Sequence, residues 1–200
     1  MRHRSMLPLV ASLVLAVAAA PAAGEELPAG LYAGWIGMEA PAFRLTSVDG
    51  KKVALSDYRG KIVVIHFGAS WCPFCNAEAP HLENLWKTYR ERGVQVLVVD
   101  VGEPGETVRK WAVASGVTFP VLLDGEGIAA RAWAPDGAQP DLPRDRVVIA
   151  SNAIVDRKGK LVFFTLLDSA RFDARLDSLT ARLDDLLKDT GQGPSISGRP

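Results

Sequence analysis

The 200-residue sequence carries 23 basic and 23 acidic side chains, is 48% hydrophobic and contains two cysteines. Balanced charge excludes a chain held to nucleic acid by a basic surface, and two cysteines exclude a disulfide-rich scaffold. With the N-terminal segment set aside, about 175 residues remain, enough for one domain with a real core and too few for two.

Met1 to Arg4 is basic, and Ser5 to Gly24 has no charge at all. This pattern reads as an export signal, with small residues at Ala20-Pro21-Ala22 and Ala22-Ala23-Gly24 as cleavage sites. An uncleaved anchor is the alternative, because the stretch approaches the ~20 residues of a spanning helix. Either reading places the globular part in the periplasm or another extracytoplasmic space, and membrane contact is expected only through an uncleaved N-terminus. The region holds no cysteine to carry a lipid. Residues 25–34 form a linker, 35–190 the folded domain and 191–200 a polar tail.

From Ala40 to Thr46 the residues alternate as in a strand, Asp49-Gly50 turns, and Lys51 to Leu55 returns, which predicts a β-hairpin. Ile62 to Phe67 is short, apolar and β-branched, suiting a strand buried on both faces. Asn76 to Arg92 carries apolar residues at helical spacing, ended by Gly93, and Val94 to Val101 is a second buried strand. Strand, helix and strand at this spacing imply a parallel crossover. Glu106 to Ser115 and Ile128 to Trp133 read as short helices around a strand at Pro120 to Asp124, and 135–146 as a loop. Val147 to Val155 and Leu161 to Leu167 predict two paired strands. Phe172, Leu176, Leu179, Leu183 and Leu186 predict a final helix capped by Asp168 or Ser169.

Trp71-Cys72-Pro73-Phe74-Cys75 falls where the first buried strand gives way to the first long helix. Unpaired N–H groups and the helix dipole favour a thiolate there. Cys72, nearest the junction and followed by a proline suited to the first helical position, is the expected nucleophile. Cys75 is close enough to attack a mixed disulfide at Cys72. Zinc binding would need further ligands, and a structural disulfide gains little across so short a loop; both stay open as alternatives. Glu78 lies three residues beyond Cys75 on the same helical face and is a candidate to tune or deprotonate it, with a surface ion pair as the plainer alternative. His81 falls out of phase with Cys72.

With these elements in order, the chain from about Trp35 to Lys188 resembles the thioredoxin superfamily, and within it the exported thiol-disulfide oxidoreductases of the TlpA and ResA type. The residues that carry the resemblance are Gly37 to Phe43, Leu55 to Lys61, Phe67 to Cys75, Glu78, Pro80, Phe119 to Asp124 and Asp156 to Lys160. The resemblance implies an α/β fold: a thioredoxin-like mixed sheet flanked by helices, with an N-terminal β-hairpin and a helix-containing insertion. It implies Cys72, Cys75 and Glu78 as catalytic residues, and Trp71, Pro73, Phe74 and Ala150 against the substrate. Ala150 occupies the position where the family has a cis-proline that holds a partner peptide; Pro120 and Pro143 align elsewhere.

His66 lies where thioredoxins often have a buried Asp. It is a candidate to carry a proton to or from Cys75 or to act as a third metal ligand, the alternative being a core histidine bonded to backbone. The implied activity is reduction of disulfides in exported proteins, with a membrane thiol reductant as electron donor. No cofactor is expected beyond the redox-active Cys72-Cys75 disulfide, no metal, no nucleic acid, and a monomer. A copper- or zinc-binding thioredoxin-like chaperone is the alternative. A peroxiredoxin-like peroxidase ranks low, since it would need Pro and Thr where Ile65 and Ala69 stand.

Overall fold

A computed structural model describes residues 34–188. The expected export signal at 1–24, the expected linker up to residue 33 and the expected tail lie outside the described residues. The chain runs β1 (Arg44–Ser47), β2 (Lys52–Ala54), β3 (Ile62–Gly68), α1 (Pro73–Tyr89), β4 (Val94–Val101), α2 (Gly105–Ser115), β5 (Val121–Asp124), α3 (Ile128–Ala132), β6 (Ser151–Val155), β7 (Leu161–Thr165) and α4 (Asp177–Lys188). The strands form one seven-stranded sheet in the order β2-β1-β5-β4-β3-β6-β7. β3 pairs parallel with β4 and antiparallel with β6, and β1 closes antiparallel on β5.

All seven residues of β3 and all eight of β4 are buried, because helices and loops cover both faces of the sheet. The two-residue period of a strand then divides the core in two. Val63, Ile65 and Phe67 face a cluster with α3, Trp133 and the loop at 147–150. Ile62 and Val64 face a cluster built from Leu82, Leu85 and Tyr89 of α1, Val108 and Ala112 of α2, and Leu179 and Leu183 of α4. His66 is therefore on the α1 and α4 side of the sheet.

The predicted strand from Val147 begins only at Ser151. Val147 to Ala150 form a turn, with Ile149 N–H donating to Arg146 O and Ser151 N–H to Val148 O. Ala150 has φ of +63°, which no strand tolerates. These four residues are apolar because they are buried, not because they are extended. The last helix is likewise shorter than its apolar spacing suggests. Phe172 lies outside it, and Asp173, not Asp168 or Ser169, caps it by accepting the N–H groups of Asp177 and Ser178 at 3.0 and 2.8 Å.

Candidate functional site

Cys72 is the N-cap of α1, and its sulfur accepts the Cys75 N–H at 3.3 Å. Pro73 follows at the first helical position, where its missing N–H costs nothing. The two cysteines are free and buried. A hydrogen bond from the Cys75 thiol is the largest influence on Cys72. Burial opposes it, the backbone N–H groups of Cys75 and Phe74 and then His66 assist it, and the Cys72 thiol falls to about 6. Cys75 is pushed in the opposite direction, first by its bond to Cys72 and then by burial. One thiol is held as an anion at neutral pH and the other as its proton donor, which is the division of labour that stepwise disulfide exchange requires.

Below the pair is a buried polar cluster. The antiparallel register of β3 and β6 sets His66 opposite Asn152. His66 Nδ1 lies 3.0 Å from Asn152 Oδ1 and 3.1 Å from Glu78 Oε2, and Asn152 Nδ2 donates to Glu78 Oε1 at 3.0 Å. The partners of His66 are thus side chains rather than backbone. Its other nitrogen, Nε2, is buried without a hydrogen-bond partner. Glu78 is 3% exposed, so its surface ion-pair reading fails. Asn152 escaped the sequence reading; its only signal is an amide inside the apolar run from Val147 to Val155.

The residues expected against a substrate occupy different settings. Trp71 is 58% exposed beside Cys72, with the Arg146 guanidinium 5.7 Å from its ring centre. Pro73 is exposed, and Phe74 is half-buried with its ring edge-on to Phe172 at 4.8 Å. Ala150 is buried and donates its N–H to Phe67 O at 2.8 Å; among the described residues no peptide bond is cis. Ala150 also lines a cavity of about 160 Å³ with Glu78, Asn152, Phe172 and Leu176, so the polar cluster has a route toward solvent.

A second acidic cluster, unsuspected from sequence, holds the loop before Cys72. Glu103 accepts both the N–H and the hydroxyl of Ser70. Behind it, Asp100 is pushed up to about 8 by burial and by the Glu103 carboxylate. Among the described residues no group of three or more His, Cys, Asp or Glu side chains is placed to hold a metal ion.

A helix-capping thiol, a buried second thiol one turn on, and a mixed sheet covered on both faces define a thioredoxin-like protein with a dithiol centre. The profile of the AhpC/TSA family matches residues 36–164, and the chain belongs to that family. A thiol-disulfide oxidoreductase ResA from Geobacillus thermodenitrificans is 34% identical over 126 residues, covering 63% of this chain and 66% of that protein. ResA from Bacillus subtilis is 40% identical over 88 residues, or 44% and 49% of the two chains. The alignments span about half to two thirds of these relatives' length.

Solved structures share the fold. A proposed protein disulfide isomerase from Bacteroides thetaiotaomicron has a TM-score of 0.65 at 33% identity, covering 76% of this chain and 90% of that one. A proposed thiol:disulfide interchange protein DsbE from Chlorobium tepidum has 0.62 at 25%, covering 76% and 97%.

Proposed function

We propose that the protein is an exported thiol-disulfide oxidoreductase that reduces disulfides in exported proteins. The observation that carries the exchange chemistry is the Cys72 sulfur capping α1 and accepting the Cys75 N–H at 3.3 Å, with Cys72 lowered to about 6 and Cys75 raised; the reducing direction is the one the family resemblance implies. The Cys72 thiolate attacks one sulfur of a substrate disulfide, expelling the other as a thiolate and forming a mixed disulfide. Cys75 then attacks Cys72, the substrate leaves with the bonding electron pair, and the Cys72-Cys75 disulfide holds the oxidising equivalent. A membrane thiol reductant returns the two electrons.

The names of the ResA relatives support this reading, as does the uncharged Ser5 to Gly24 stretch. Among the described residues no helix is long and apolar enough to cross a membrane. The reading extends to a monomer acting outside the cytoplasm. A peroxidase reading within the same family gains no support from Ile65 and Ala69, both buried where Pro and Thr would be needed.

Reduction of insulin by dithiothreitol, followed by precipitation of the freed B chain, tests the proposal. The full chain should accelerate it, Cys72→Ser should abolish the acceleration, and Cys75→Ser should stall at a mixed disulfide. Full acceleration by Cys72→Ser would overturn the assignment of the nucleophile.

A further inference from the structure

We propose that His66 is the base that takes the proton from Cys75 when Cys75 attacks the mixed disulfide, with Glu78 and Asn152 as its positioning residues. The inference rests on the exchange reaction proposed above and assigns its second step. Of the two main causes that raise Cys75, the bond to the Cys72 sulfur is lost in the mixed disulfide but burial persists, and a buried thiol cannot resolve the intermediate until something removes its proton. Water has little access, since Cys75 is 2% exposed.

The side chain that faces this task is His66. Its Nδ1 is committed to Asn152 Oδ1 and lies within ion-pair distance of Glu78 Oε2. A proton on Nδ1 leaves Nε2 as the free acceptor, and Nε2 is the atom buried without a partner. A Cβ placed on Gly68 would lie 2.8 Å from His66 Nε2 and 3.3 Å from Cys75 Sγ. The ring nitrogen and the sulfur therefore border the same small space, which stays open only because residue 68 has no side chain. An unpaired polar atom in a core is costly, so its persistence beside a buried thiol has a functional rationale.

The step balances. The Cys75 S–H proton passes to His66 Nε2, the Cys75 sulfur bonds to Cys72 Sγ, and the Cys72–substrate S–S bond breaks with its electron pair on the substrate sulfur. Glu78, fixed by Asn152 Nδ2, stabilises the imidazolium from the far side of the ring. The substrate thiolate takes its proton from water, and His66 holds the proton on Nε2 until the donor attacks Cys72 and Cys75, leaving as a thiolate, takes it back. The titratable groups that face His66 are Cys75 and Glu78 of α1 and its N-cap Cys72, and Asp168, Arg171 and Asp173 line the cavity on which Glu78 opens.

Stopped-flow reaction of the reduced full chain with 5,5′-dithiobis(2-nitrobenzoate) separates the two steps. The first thionitrobenzoate is released by Cys72 and the second by Cys75 resolving the mixed disulfide. At neutral pH, His66→Asn should slow the second release by at least about tenfold while the first changes by less than about threefold. The deficit should shrink as pH rises and hydroxide replaces the base. Glu78→Gln should slow the same phase, and Gly68→Ala, which leaves both groups in place but fills the space between them, should do so as well. A second release within about threefold of wild type in His66→Asn, or a slowing equal at every pH, overturns the inference. Absence of the first release in the wild-type chain would instead defeat the exchange reaction itself.

Discussion

At the first turn of α1, a sulfur that receives a helix N–H and a sulfur buried beneath it feel opposite fields. The Cys72 thiolate should therefore react with iodoacetamide along a pH curve with its midpoint near 6, against roughly 8.5 for a free cysteine. Because the Cys75 hydrogen bond is the largest cause, Cys75→Ala should move that midpoint upward; mass-resolved alkylation between about pH 4 and 9 measures both. An unshifted midpoint in Cys75→Ala would assign the effect to the helix alone.

Asp100 gives a second pH dependence with the opposite consequence for stability. Its carboxyl is raised from 3.8 to about 8, so between those values the folded chain keeps a proton that the unfolded chain releases. Stability contributed by this group is present at low pH and is lost as pH rises from about 4 to about 8, by up to about 1.4 kcal/mol per unit. Asp100→Asn should flatten that loss and exceed wild type most clearly near pH 8. Urea unfolding at both ends of the window checks it, and parallel slopes for the two proteins would contradict it.

The elements that build the site take their positions from caps and registers as much as from apolar pattern. β3 and β4 were legible because buried parallel strands read as continuous β-branched runs, and α1 because its stripe repeats every three or four residues. Burial without extension misled at 147–150, where a left-handed Ala150 turns an apolar run. Phe172 matched the helical period of α4 but packs on Phe74 between the cysteines, a contact that sequence spacing cannot show. The cap of α4 is Asp173, and Asp173→Ala should destabilise the fold by about 1 kcal/mol, read as a lower urea midpoint with unchanged slope. No change in midpoint would mean that packing alone fixes the start of that helix.

Across the whole molecule, the sheet brings together residues far apart in sequence: His66 from β3, Glu78 from α1 and Asn152 from β6. The two cysteines and the order of elements were readable from the chain, since each depends on local spacing. The partner of His66 was not, because it depends on which residue of β6 falls opposite in an antiparallel register. The acidic support of the Cys72 loop escaped for the same reason, Ser70 and Glu103 being joined only across the β3–β4 edge.

The most direct test of the account is the reduction potential of the Cys72-Cys75 pair in the full chain, titrated in dithiothreitol or glutathione buffers and read by thiol labelling. A single two-electron transition nearer the ~−270 mV of thioredoxin than the ~−120 mV of a strong oxidant is the expected result, and it identifies a reductant of exported disulfides. A potential near ~−120 mV would contradict the direction proposed, and failure of the two cysteines to titrate as a pair would contradict the dithiol mechanism altogether.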